Sequence, residues 1–174
     1  DLDGFVGING ETANRLGLEV QDIEFALALL TDQDDPAQSW TSLEAEVGEV
    51  GFVGVEGLTV SADTVTIEIN QPSASGEVID YSAEATSVVI PTGPETTHTL
   101  TLDGSSGELL RASGNFTIDI FGFFRTSGSL AFEKSSQQVT LNDESATEVE
   151  VDLLTVGGSS LDAFAGINGG TADA

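Results

Sequence analysis

Strict alternation of apolar and polar residues is the feature that most limits what this chain can fold into. Between Ile23 and Leu29 every second residue is Ile, Phe or Leu, and between Val65 and Ile69 every second residue is Val or Ile. Such side chains point to opposite faces of a β-strand, so each stretch predicts a strand with one apolar face. Segment 23–30 also fits a helical period, but it lacks helix caps, and its alternation favours a strand.

Turn-forming residues separate these runs along the whole chain. Further alternating runs lie at 18–20, 43–47, 58–60, 116–120, 139–141 and 149–153, and tight turns are predicted at 55–58, 121–123 and 142–145. The sequence therefore predicts an all-β fold in a single module, 1–174. Its architecture is expected to be an elongated, mainly antiparallel β-sandwich or bent β-meander, with a parallel β-solenoid as the alternative.

Two similar segments, 110–120 and 124–134, distinguish the two kinds of pairing. A parallel stack at their sequence shift of 14 would place Arg111 on Arg125. An antiparallel hairpin that turns at 121–123 pairs residues whose numbers sum to 244. It sets Arg111 beside Glu133 and Asp119 beside Arg125. Opposite charges across strands stabilise pairing by roughly 0.2–1 kcal/mol and like charges oppose it, so the hairpin is favoured.

Several strands contain a small or polar pair at which the alternation slips by one residue. These pairs are Gln21-Asp22, Gly48-Glu49, Ala62-Asp63, Ser113-Gly114, Ser127-Gly128 and Gly157-Gly158. Such interruptions are typical of β-bulges or bends, which can carry a long strand from one sheet into another.

A second constraint is an internal repeat. Residues 2–13 return as residues 161–172 with an offset of 159 and nine identical positions out of twelve. A long repeat at a fixed offset indicates a tandem array, so the chain is predicted to hold about one 159-residue period, with 161–174 beginning the next copy. The two copies are expected to be strand edges that contact a neighbouring unit.

Charge limits the partners of the chain. Thirty acidic residues against four basic ones give a net charge of −26 at pH 7. Nucleic acid and anionic membranes are poor partners for such a surface. No stretch approaches eighteen uncharged apolar residues, so no membrane insertion is expected. Two environments suit this charge: high salt, which screens the repulsion between carboxylates, and millimolar divalent cation, which pairs with them.

Calcium is the one cofactor that the acidic residues suggest, since Ca²⁺ binds carboxylate oxygens. The candidate ligands are Asp3, its repeat equivalent Asp162, and the acidic turn Asp32, Asp34 and Asp35. None of them satisfies an EF-hand spacing. The competing interpretation of the turn is a solvated loop before Pro36.

No residue pattern predicts catalysis, and we expect the chain not to be an enzyme. His98 is the only histidine, and it is expected to be an exposed strand residue. Trp40 and Tyr81 are the only large amphipathic aromatics. They could stack on a sugar, although such rings more often cap a core.

Several motifs together resemble the tandem repeats of very large bacterial surface or secreted proteins, often adhesin-like. They are the Phe-x-Gly-Ile-Asn-Gly motif at 5–10 and 164–169, and the segments 17–20, 57–62 and 108–114. The resemblance implies an extracellular or cell-surface structural module, a spacer or a fibre- or matrix-forming unit, whose partners are neighbouring repeats. The alternative is a carbohydrate- or surface-binding β module with a glycan or surface ligand.

Overall fold

The structure is a computed structural model that describes residues 2–82 and 86–166. Nine β-strands account for most of these residues. They are β1 (Leu2–Ile8), β2 (Leu16–Thr31), β3 (Ser39–Val53), β4 (Leu58–Gln71), β5 (Val89–Pro91), β6 (Thr97–Thr99), β7 (Leu109–Ile120), β8 (Phe124–Thr140) and β9 (Glu148–Ala165). Segment 23–30, which also fits a helical period but was predicted as a strand, lies within β2 and is strand throughout.

Seven of the strands form one antiparallel sheet in the order β1-β2-β3-β4-β7-β8-β9, and β5 and β6 form a separate small ribbon. Consecutive strands of the large sheet are neighbours, except where the chain leaves the sheet between β4 and β7. The prediction of an antiparallel all-β fold is confirmed, and the arrangement is a meander. The solenoid alternative is wrong, because every ladder within the described residues is antiparallel.

The hairpin formed by β7 and β8 has the predicted register. Arg111 lies opposite Glu133 and Asp119 lies opposite Arg125, and this register holds along the whole ladder. The carboxylate of Asp119 accepts a hydrogen bond from the backbone N–H of Gly122 at 2.8 Å, so it caps the turn. Within the described residues Arg125 makes no ion pair.

Arg111 joins three strands through its guanidinium group. Its Nε donates to Glu133 on β8 at 2.7 Å and its Nη1 donates to Glu68 on β4 at 2.8 Å. The hydrogen bond to Glu133 raises the pKa of Arg111 most, partial burial opposes this rise, and Glu68 adds to it. One charged side chain thus ties the centre of the sheet to the strands on either side.

A row of backbone irregularities crosses the sheet close to the predicted phase slips. Positive φ angles occur at Asp22 on β2 (53°), Thr64 on β4 (52°) and Ser160 on β9 (52°). The register shifts between Asp63 and Thr66, and again opposite Ser127 to Ser129. The strands continue in the same sheet on both sides of this row. The irregularities are therefore bulges within one sheet and do not transfer strands to a second one.

The register gives the sheet two very different faces. The polar face carries ten carboxylates: Glu19, Glu24, Glu44, Glu46, Glu49, Asp63, Glu68, Asp119, Glu133 and Asp162. The apolar face carries Leu18, Val20, Ile23, Phe25, Leu27, Leu43, Val47, Val50, Phe52, Val60, Val65, Ile67, Ile69, Leu110, Phe116, Ile118, Ile120, Phe124, Leu130, Phe132, Leu154 and Val156. Each strand contributes to both faces, as strict alternation requires.

The buried core lies at one end of the polar face, under the segment that connects β4 to β7. This crossing segment, residues 72–108, includes β5 and β6. Its Leu100, Leu102 and Tyr81 are buried together with Ala26 and Ala28 of the sheet. The small alanine side chains on β2 leave room for the crossing segment to pack closely, so this end of the sheet has a second layer.

Buried polar groups attach the crossing segment in a fixed position. The Tyr81 hydroxyl donates to Ser42 Oγ at 2.9 Å, and Ser42 Oγ donates to Asn70 Oδ1 at 3.2 Å. The Asn70 amide in turn donates to the carbonyl of Ile79 at 2.8 Å. Ser42 and Asn70 are fully buried, and a buried polar group that lost its partner would cost about 1–3 kcal/mol.

The two similar arginines provide a matched test of the register. We expect Arg111→Gln to lower the free energy of unfolding by about 1 kcal/mol, because two half-exposed carboxylates lose their shared cation. Arg125→Gln should lower it by less than about 0.5 kcal/mol, because Arg125 makes no ion pair in the described residues. Urea unfolding of both variants measures the difference, which should shrink in about 1 M NaCl. Equal losses for both arginines would contradict the assignment.

Candidate interaction surfaces

The two copies of the repeated motif lie at opposite edges of the sheet. The first copy forms β1, which pairs only with β2, and the second copy forms the end of β9, which pairs only with β8. The second copy is described as far as Gly166, and its residues 167–172 lie outside the described residues. Among the residues that the structure describes, each edge strand therefore pairs on one side only.

Equivalent residues of the two copies face the same way. Phe5 lies opposite Glu19 and its equivalent Phe164 lies opposite Arg125, so both phenylalanines are on the polar face. The residues that follow the two phenylalanines also share a face. Val6 lies opposite Leu18, and its equivalent Ala165 lies opposite Phe124, both on the apolar face. Equivalent residues of the two copies thus point to the same face of the sheet, although one copy pairs with β2 and the other with β8.

Asp3 and Asp162, two of the calcium candidates, lie on these two edges. Asp3 Oδ1 accepts a hydrogen bond at 3.1 Å from the backbone N–H of Asp22, the bulge residue on β2. Asp162 lies on β9 opposite Ser127, and its carbonyl accepts a hydrogen bond from Thr126 Oγ1 at 3.0 Å. The carboxylate of Asp3 thus has a structural partner, the bulge of the neighbouring strand.

The acidic turn between β2 and β3 holds the other three candidates. Asp32 Oδ1 accepts hydrogen bonds from the backbone N–H groups of Asp34 (2.8 Å) and Asp35 (3.2 Å), and Asp35 Oδ1 accepts from Ala37 (3.2 Å). This is the pattern of an Asx-turn, in which a carboxylate caps its own loop. Within the described residues no three His, Cys, Asp or Glu side chains are grouped to hold a metal ion. Calcium binding stays a prediction.

His98 and the aromatic candidates all contact the crossing segment or the sheet beneath it. Glu44 accepts hydrogen bonds from Thr101 through its Oε1, and its Oε2 pairs with His98 Nε2. Trp40 Nε1 donates to the carbonyl of Glu77 at 2.9 Å, and Tyr81 is only 5% exposed. These side chains hold the crossing segment on the sheet, and Tyr81 is part of the buried core. A glycan ligand stays a prediction.

The largest surface feature is the apolar face, which sequence analysis did not find as a single surface. Phe25 is 51% exposed, Phe132 43% and Val156 73%, and they come from strands near both edges. A folded protein of 18.0 kDa exposes about 8,000 Å² on average, whereas this chain exposes 11625 Å². Alternation in most strands was visible in the sequence, but it did not show that seven strands join one sheet with none of residues 2–82 and 86–166 packed against this face.

No known protein family, curated protein or solved structure matches this chain. Among the described residues there is no helix of the length and apolarity that crossing a membrane requires. The two edges and the two faces of the sheet are therefore the features from which a function can be inferred.

Variants of the acidic turn can show whether its carboxylates cap the loop or bind a metal ion. Without added Ca²⁺, Asp32→Ala should lower the free energy of unfolding by about 1 kcal/mol, because two backbone N–H groups lose their acceptor. Asp34→Ala is the control and should change it by less than about 0.5 kcal/mol, since its carboxylate accepts no hydrogen bond within the described residues. Thermal unfolding in matched ionic strength measures both. Equal losses that occur only with Ca²⁺ would instead establish a calcium site.

Proposed function

We propose that this chain is a structural repeat unit of a large extracellular or cell-surface protein, and that its sheet continues from one unit into the next. One observation supports this most: the two copies of the repeated motif occupy the two opposite edges of a single meander. In a tandem array, residues 161–166 of one unit are equivalent to residues 2–7 of the next. One strand then serves as β9 of the first unit and as β1 of the second.

Such a shared strand uses both of its sides. It pairs with β8 of its own unit along one side, as β9 does, and with β2 of the following unit along the other, as β1 does. No open edge remains inside the array, which matters because unpaired edges promote uncontrolled association. Each period of 159 residues then adds six strands to one continuous antiparallel sheet.

Side chains at the junction support this arrangement. In this chain the Arg15 guanidinium lies 5.9 Å from the centre of the Phe5 ring, and Arg15 pairs with Glu19 at 2.7 Å. In the array, the ring of Phe164 would lie between Arg125 of its own unit and Arg15 of the next. The contact with Arg15 is favourable, because a cation over an aromatic face contributes about 0.5–1 kcal/mol at exposed sites.

Asp162 also gains a role in the array. By equivalence with Asp3, its carboxylate would accept a hydrogen bond from the backbone N–H of Asp22 in the next unit. The bulge row would then continue across the junction, from Ser160 on β9 to Asp22 on the following β2. A carboxylate that caps a strained backbone position fixes the register of the strands on both sides.

The acidic polar face suits an extracellular array. Ten carboxylates on one face and a net charge of −26 keep neighbouring arrays apart on that side, and their repulsion weakens in high salt. The function proposed here has no catalytic step. The unit supplies length and a surface, as a spacer or as a component of a filament or matrix.

Amide hydrogen exchange tests the shared strand. In a two-period protein, Ala172 is followed directly by a second copy of residues 14–174, so that the second unit has no β1 of its own. We expect backbone amides of residues 153–165 in the first unit to exchange at least about tenfold more slowly than in the single chain, because their open side becomes hydrogen-bonded.

The control is a two-period protein in which two complete chains are joined by a flexible Gly/Ser linker. Each unit then keeps its own β1, and β9 of the first unit should exchange as fast as in the single chain. Equal exchange of residues 153–165 in the shared-strand and linker proteins would contradict the proposal.

A further inference from the structure

The apolar face is as large and as apolar as one layer of a protein core. Seven strands about 4.8 Å apart and about twelve residues long give a face of about 30 by 40 Å, or about 1,200 Å². A stable interface buries about 800 Å² on each partner, and the largest apolar patch of an ordinary monomer is about 300–600 Å². A sheet with one apolar face must bury it against another layer.

We propose that this layer is the apolar face of a second copy of the same chain, so that two sheets pack face to face as a β-sandwich. The proposal concerns the face of the sheet and not its edges. It therefore holds or fails independently of the shared strand proposed above.

The shape of the face fits a second copy. One row across the sheet reads Phe25, Ala45, Ile67, Ala112, Phe132 from β2 to β8, so large and small side chains alternate from strand to strand. In this row, large side chains on β2, β4 and β8 form ridges on either side of grooves over Ala45 and Ala112. Two copies related by a two-fold axis can insert the ridges of each into the grooves of the other, which is how packed layers interdigitate.

The charges also favour a second copy. Packed sheets lie about 10 Å apart, and within the seven-stranded part the ten carboxylates of the polar face project outward, so these groups of the two copies are about 20 Å apart. Glu148, Glu150 and Asp152 lie on the apolar side only where β8 and β9 extend beyond β7. The Debye length in 0.15 M salt is about 8 Å, so their repulsion is largely screened.

A lipid surface fits the same face poorly. Peptide segments that lie on membranes carry Lys and Arg beside their apolar residues. On the apolar face within the seven-stranded part of the sheet, Lys134 is the one basic residue, and its Nζ donates to Glu108 at 3.1 Å. The acidic polar face behind it would add repulsion from anionic lipids.

Sedimentation equilibrium of the single chain tests the pairing. At about 10 μM in about 0.5 M NaCl we expect a dimer, and Phe132→Asp should raise its Kd at least about 100-fold, because two carboxylates enter a dry interface. Ala131→Asp is the matched control, since it adds the same charge one residue away on the polar face of β8. The control should leave the Kd within about threefold.

Spin labelling gives a second readout that does not depend on how well the aspartate variants fold. The chain has no cysteine, so Val156→Cys and Thr155→Cys each provide one labelling site, on the apolar and polar faces of β9 respectively. We expect the label at 156 to be immobilised in the dimer and the label at 155 to be mobile.

Three results would overturn the proposal. One is a monomer at all accessible concentrations with both labels mobile. Another is a dimer that Phe132→Asp leaves intact, which would place the contact at the sheet edges. The third is a monomer that floats with phosphatidylcholine vesicles, which would identify a lipid surface as the occupant of the face.

Discussion

Antiparallel pairing across seven strands is the constraint on which the rest of the structure depends. Outside the bulges, each two-residue alternation adds to the same two faces, so most carboxylates of the seven-stranded part lie on one face and most large apolar side chains on the other. A slip of one residue in any strand would mix the faces. Arg111, bonded to Glu68 and Glu133, and the tight turns between strands fix this register at the centre of the sheet.

A sheet of this kind has two unsatisfied features, its edges and its apolar face. The shared strand that we propose would complete the edges, because copies of the repeated motif lie at both of them. The pairing that we propose would cover the apolar face with a second copy. In such an assembly, hydrogen bonds would run along the array and apolar contacts across it.

Much of this fold could be predicted from local sequence. The β7–β8 register followed from the charges of Arg111, Arg125, Asp119 and Glu133, since like pairs oppose and unlike pairs favour a ladder. The position of the crossing segment could not, because Leu100 and Leu102 alternate with polar residues over only a short stretch, and the partners of this segment, Ala26 and Ala28, are distant in sequence. Nor could the exposure of the apolar face, since alternation shows that a face is apolar and not whether anything covers it.

The length that each period adds to an array tests the shared strand most directly. Six strands at about 4.8 Å predict that proteins of two, three and four shared-strand periods grow by about 29 Å per period. Small-angle X-ray scattering or electron microscopy of this series measures the increment. Units joined end to end along their strands would instead add about 50 Å each, the length of a strand of about fifteen residues, and that result would contradict the account.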